Sequence, residues 1–303
     1  MQLQVSDAWE RGDPYEQYIG RWSRRVAPLF LAWLGVPADR RWLDVGCGTG
    51  ALSAAILDRC SPSSVTGVEP SEGFLATARE RLAGRAVLSR GDAASIPLGD
   101  GSVDVVVSGL VVNFVPDPLA ALGEMARVAC DGGTIGAYLW DYAGKMELIR
   151  CFWDAAIELD PAAASLDEGA RFPLCRPEAL AELFAGAGLE DIETTAIEIP
   201  TLFSSFEDYW RPFLGGQGPA PAYAISLEVD ARARLRDRLR QRMPVLADGS
   251  ISLTARAWAA RGMVGRDAEG WDRKIERDAA SGKLDRYFEE AVADHRAGKS
   301  TEI

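Results

Sequence analysis

The chain has 303 residues, 48% hydrophobic and 26% charged, a balance that suits one large α/β domain or a domain with an addition and excludes fibrous and disordered chains. Its net charge of −12 opposes polyphosphate partners, and five scattered cysteines with no C-x-x-C pair argue against a disulfide framework or a zinc site. The sole histidine, His295, lies in a polar C-terminal stretch, so the main body lacks imidazole for metal ligation or base catalysis.

The opening "MQLQVSDAWERGDPYEQ" is too polar and acidic for a secretory signal, and no apolar run approaches the roughly 18 residues of a membrane span. The expectation is a cytoplasmic protein with no membrane partner.

A helical region over about 14–34, within an N-terminal region of 1–40, leads into an alternation of short apolar strands and helical patterns. Strands are expected at 42–45, 65–69, 86–89, 103–108 and 134–139, and helices between them at 49–60, 71–83 and 117–129. Crossover connections of this kind imply an α/β, doubly wound, mostly parallel sheet covered on both faces.

Beyond residue 140 the pattern shifts to helices at 145–159 and 177–187, a strand at 189–199, aromatic-rich loops, a helix at 227–242 and the strand "SISLTARAWAA". Residues 141–261 read as an elaboration of the same sheet, making 1–261 one domain. The basic "ARARLRDRLRQRM" spaces Leu235, Leu239 and Met243 along one helical face, which reads as a packed surface helix and not as a nucleic-acid site. Residues 262–303 form a charged helical tail with one apolar stripe (Leu284, Phe288, Val292), expected to dock on the main body or to pair two copies as a homodimer.

The segment "LDVGCGTG" ends a strand with Asp44 and turns into a helix through Gly46, Gly48 and Gly50, the place where ligands lie in open α/β sheets. Missing side chains there make room for a ligand. Dinucleotide enzymes use G-x-G-x-x-G, whereas this spacing is G-x-G-x-G with an acidic residue inside the strand.

"LDVGCGTG" resembles motif I of class I S-adenosylmethionine-dependent methyltransferases, and the resemblance continues in order through "VTGVEPSEGFLATAR", "SRGDAASIPLGDGSVDVVVS" and "ARVACDGGTIGAYLW". It implies a seven-stranded Rossmann-like sheet with an N-terminal helical lid and a C-terminal helical appendage. The cofactor implied is S-adenosylmethionine, with Asp44, Gly46, Cys47 and Gly48 around its amino-acid part and Glu69, followed by Pro70, accepting from both ribose hydroxyls. Asp92 would accept from the adenine amino group, Ala93 would face the ring, and the stretch from Ser108 to Asn113 would line the reaction centre.

"YEQYIGRWSRRVAPLFLAWL", "FEDYWRPFLGGQGPAP" and "DGSISLTARAWAARG" resemble small-molecule methyltransferases related to the ubiquinone and menaquinone biosynthesis type. That similarity implies that Tyr18 and Arg21 border the cofactor. Trp22, Trp210 and Phe213 read either as core or as substrate wall, with Tyr18 as a further wall candidate. "LVVNFVPDP" lacks the Asp/Asn-Pro-Pro-aromatic tetrad of nucleic-acid amino methylases, which points to a small-molecule acceptor and not to nucleic acid.

In-line displacement from a sulfonium needs alignment and exclusion of water more than acid–base help. No particular side chain stands out as catalytic. A cofactor-binding regulatory protein without turnover remains an alternative, and a nicotinamide-dependent oxidoreductase is disfavoured by the loop spacing.

Overall fold

The computed structural model describes residues 16–265 apart from residue 217. The expected helical tail and its pairing surface, His295 included, lie outside the described residues.

Seven strands form one sheet: β1 (Arg41–Val45), β2 (Ser64–Glu69), β3 (Val87–Arg90), β4 (Val103–Gly109), β5 (Ala129–Trp140), β6 (Leu189–Phe203) and β7 (Ile251–Val264), in the order β3-β2-β1-β4-β5-β7-β6. The ladders among β1 to β5 are all parallel. Residues 42–45 of β1 and 105–107 of β4 are buried, the near-continuous apolar signature of strands covered on both faces.

The mostly parallel reading fails at one edge, because β7 runs antiparallel to both β5 and β6. Apolar alternation reads identically in either chain direction, so the pattern carried no sign of the reversal. β7 also continues to Val264, past the expected end at residue 261, with Ile135 opposite Gly262 and Leu189 opposite Val264. The compact unit likewise ends at Val264.

β6 pairs only with β7, and this edge position tolerates Pro200, which has no N–H to donate. Its last stretch alternates cleanly, with Ile197, Ile199, Thr201 and Phe203 buried.

The helices begin where capping side chains sit. In α3 (Glu72–Leu82) the Ser71 hydroxyl accepts from the Phe74 amide at 3.3 Å, and in α4 (Pro118–Val128) Asp117 accepts from Ala120 N at 3.0 Å. α1 (Arg21–Leu34), preceded by one π turn at Glu16–Gly20, ends at Gly35 with φ 65°. α2 (Ala51–Arg59) follows the glycine loop directly.

The helix Val229–Arg242 buries Leu235 and Leu239, while Arg236 and Arg240 pair with Glu207 and Arg238 and Arg242 pair with Glu158. Two carboxylates of the fold thus each hold two of its arginines. No described helix is long and apolar enough to cross a membrane.

Candidate functional site

The strand order reverses direction between β1 and β4, and the crevice beyond their carboxyl ends is a cavity of about 330 Å³, within the size range of small-molecule sites. Asp44, Gly46, Cys47, Gly48, Glu69, Pro70, Asp92, Ala93 and Tyr18 all line it. Ser108 and Arg21 do not.

The loop from Gly46 to Gly50 is built around three left-handed glycines with φ of 71°, 53° and 81°. They have separate reasons. A Cβ on Gly46 would lie 2.6 Å and 2.7 Å from the Val111 methyls, and one on Gly50 would press on Ala78 and Leu82 of α3 at 3.3 Å. Of the three, only a Cβ on Gly48 would be clear of the described residues, with the nearest such atom 4.0 Å away. The expectation that all three clear space for a ligand is therefore corrected: Gly46 and Gly50 make room for the protein itself.

Asp44 is 1% exposed. Its Oδ2 accepts from the Ser53 hydroxyl at 2.7 Å, while Oδ1 is buried without a partner among the described residues. Burial pushes its carboxyl up to about 7, the Ser53 hydrogen bonds oppose this, and nearby Glu69 adds to it. A buried carboxylate oxygen with no donor is suited to a cation or a water.

Glu69 ends β2 and is held by two backbone donors, Gly48 N to Oε2 at 3.1 Å and Ser71 N to Oε1 at 2.9 Å. Burial raises its carboxyl above the ordinary range against these bonds. Each oxygen keeps a lone pair, so both remain able to accept from a diol. The Gly46 and Cys47 amides donate to Val68 O at 2.8 Å and 3.1 Å, which ties the loop to β2. Cys47 is buried and its thiol is pushed up by desolvation, so it offers no thiolate.

Asp92 and Ala93 sit on the exposed rim beyond β3, where Asp92 Oδ1 accepts from Ala94 N at 2.8 Å. The rim loop is pinned from α4, with Ile96 N donating to Glu124 Oε2 at 2.9 Å and Arg127 reaching the Leu98 and Ile96 carbonyls at 3.0 Å and 3.1 Å.

Ser108 is 1% exposed and spends its hydroxyl on Val45 O at 2.9 Å, joining β4 to β1. The wall after β4 comes instead from Gly109, Leu110 and Val111. Leu110 holds φ at 64°, a left-handed conformation fixed by its amide donating to Tyr138 O at 2.8 Å. Arg21 points its charge elsewhere, pairing with Asp208 at 3.0 Å and stacking over Trp22 and Phe203 at 4.5 Å and 4.8 Å.

Tyr18 belongs to the cavity wall with Ile19 and Ser23, and the segment after β5 adds Tyr142, Ile149, Glu168 and Pro219 to it. Trp22, Trp210 and Phe213 are core: Phe213 stacks on Phe152 at 4.5 Å, Trp210 packs on Phe213 at 6.1 Å, and Trp22 meets Phe203 edge-on at 5.3 Å. Glu168 was missed by the sequence reading, since "DEGARF" has no periodicity or motif to mark it. It is 2% exposed, and burial raises its carboxyl to about 7.

Residues 43–136 match the methyltransferase-domain family. Over 117 residues the chain is 38% identical to demethylmenaquinone methyltransferase of Staphylococcus aureus, a match covering 38% of this chain and 47% of that protein. The chain thus spans about half the length of the curated relatives it matches. Among solved structures, YcgJ of Bacillus subtilis superimposes with a TM-score of 0.53 at 16% identity, covering 80% of this chain and 99% of the other. Phosphoethanolamine N-methyltransferase 2 of Haemonchus contortus, solved with S-adenosyl-L-methionine, gives 0.52 at 17% identity, covering 84% and 56%. At these identities the two structures establish a shared fold.

Proposed function

This chain carries a class I S-adenosylmethionine-dependent methyltransferase domain, and from that premise we propose that it transfers the cofactor's methyl group to a small-molecule acceptor. The observation that carries the reading is the unpaired, buried Asp44 Oδ1 in the same cavity as Glu69 and the open face of Gly48. These residues fit the cofactor: Asp44 would receive its ammonium, directly or through a water, Gly48 leaves space for its amino-acid part, and Glu69 would accept from the ribose hydroxyls. Pro70, Asp92 and Ala93 would border the adenine at the rim.

When bound, the cofactor supplies an electrophilic methyl on a sulfonium. The protein's part is to align an acceptor with that methyl and to exclude water. The apolar wall contributed by Ile19, Phe114 and Ile149 supports this role, and an acidic surface supports an acceptor other than nucleic acid.

Calorimetric titration with S-adenosylmethionine and, separately, with the nicotinamide dinucleotides tests the cofactor. Mass spectrometry of cell extract incubated with the protein and methyl-labelled cofactor tests the transfer. Binding of the sulfonium cofactor and label in a small molecule are expected. Binding without label would support the regulatory alternative.

A further inference from the structure

The cavity's ionisable groups fall into two neighbourhoods. Asp44, Cys47 and Glu69 act on one another, whereas Tyr18 feels Glu168 and Tyr142. The first set faces the glycine loop. The second lies on the part of the wall formed by the N-terminal helical region and the segment after β5, and it places a carboxyl in a largely apolar wall.

The chain holds that carboxyl by specific means. Arg150 grips Asp167 with both guanidinium nitrogens, Nη1 to Oδ1 at 2.9 Å and Nη2 to Oδ2 at 2.8 Å, and Asp167 Oδ1 also accepts from Gly169 N at 2.9 Å. A Cβ on Gly169 would lie 2.9 Å from Arg150 Nη1 and 3.0 Å from Ala143 Cα, so this turn is pressed against residues 142–143. The Trp153 indole N–H donates to Glu168 Oε2. The buried Tyr18 hydroxyl, which lines the same cavity, has no partner among the described residues.

We propose that Glu168 is the catalytic base of this site, and that its acceptor is a small, mainly apolar molecule bearing an ionisable hydroxyl that Tyr18 orients. The inference rests on the methyl-transfer reading above. The hydroxyl proton passes to the Glu168 carboxylate, the hydroxyl oxygen forms the new bond to carbon, and the sulfur–carbon bond breaks with its electron pair remaining on sulfur.

A hydroxyl is favoured over an amine on chemical grounds. A neutral amine attacks with its own lone pair and can lose its proton afterwards, and a protonated amine would be repelled by the sulfonium. A hydroxyl becomes a good nucleophile only as its proton leaves, which needs a base beside it. Burial is the main influence that places Glu168 at about 7. Its own backbone and Trp153 lower it, Asp167 raises it and Arg171 lowers it; burial keeps Tyr18 a neutral phenol, and Tyr142 lines the same cavity. Near neutrality a useful fraction is therefore ionised and able to take a proton.

The test offers 2-naphthol and 2-aminonaphthalene, with S-adenosylmethionine, to the 303-residue wild-type chain, Glu168→Gln and Tyr18→Phe. In Glu168→Gln the new amide oxygen can still accept from Trp153, so the variant should fold, and its melting curve and cofactor titration are recorded beside the rate. The wild type should methylate the naphthol, with kcat rising with pH to a plateau above about 7. Glu168→Gln should lose about 100-fold or more in kcat and its pH dependence while binding the cofactor within about twofold. Tyr18→Phe should raise KM more than it lowers kcat.

An infrared pH titration of the cofactor-free proteins gives a readout independent of turnover: Glu168→Gln should delete one carboxyl signal that titrates near 7. The proposal is overturned by a Glu168→Gln rate equal to wild type, by preference for the amine, or by no turnover of the naphthol on a protein that binds the cofactor. A wild-type protein that fails to bind the cofactor would sink the parent reading, and this one with it.

Discussion

Replacing Gly46 by alanine separates the two reasons a glycine can stand in the loop. The backbone there holds φ at 71°, which costs a residue with a Cβ about 1–2 kcal/mol. The new methyl would also lie 2.6 Å and 2.7 Å from the Val111 methyls, an overpacking worth about 1–3 kcal/mol. The sum is roughly 2–5 kcal/mol of lost stability, or on the order of 10 °C in melting temperature for a unit of this size. Val111→Ala removes the methyls that collide, so in the double variant the overpacking part, about 1–3 kcal/mol, should be recovered as coupling. Gly48→Ala carries the same left-handed strain at φ 53°, about 1–2 kcal/mol, but meets no described atom closer than 4.0 Å, so its melting temperature should fall less than that of Gly46→Ala and it should lose cofactor affinity as well. Thermal denaturation followed by circular dichroism, with a cofactor titration for each variant, reads both effects. Equal melting losses at Gly46 and Gly48, or strict additivity of Gly46→Ala with Val111→Ala, would refute the division of roles.

Further outcomes follow from the same geometry. Burial holds Asp44 at about 7 in the folded state against an ordinary value of 3.8, so between those values the folded protein keeps a proton that the unfolded chain has lost. Stability of the cofactor-free protein should fall as pH rises through that window, and Asp44→Asn should flatten the fall. An ammonium beside Asp44 favours its ionised form, so cofactor binding just below pH 7 should release a proton, measured by calorimetry in buffers of different ionisation enthalpy and absent in Asp44→Asn. Arg256→Ala should cost about 3–5 kcal/mol in chemical denaturation, because Asp141, buried at the end of β5, would lose the guanidinium that donates to its Oδ2 at 2.6 Å and 2.8 Å. Arg21→Ala should leave cofactor affinity unchanged, since its charge is paired with Asp208 outside the cavity; a clear loss of affinity would restore it to the site.

The half of the molecule from β1 to β5 was legible because each strand is a short apolar run and each connection has a helix-sized period, with Asp44, Glu69 and Asp92 marking three successive strand ends. The direction of β7 was not legible, since period-two alternation has no polarity. Ser108 was misplaced for a related reason: strand position predicts that a residue lies near the carboxyl edge, but only tertiary packing decides whether its hydroxyl meets the cavity or, as here, Val45 O. Glu168 was invisible because it reaches the cavity through a turn fixed by Arg150, 17 residues from Asp167 in sequence, and not through any local pattern. The glycine loop shows the limit most sharply. Its spacing announced a ligand loop, yet Gly46 and Gly50 answer to Val111 and α3, partners that no local reading supplies.

The central claim is that the cavity beyond β1, β2 and β4 holds the cofactor through Glu69, and calorimetric titration of S-adenosylhomocysteine into wild type and Glu69→Ala tests it most directly. Removing a charge-assisted pair of hydrogen bonds costs about 1.5–3 kcal/mol, so the account predicts affinity weakened by roughly 10- to 150-fold in a protein that still folds. Unchanged affinity in Glu69→Ala would contradict it.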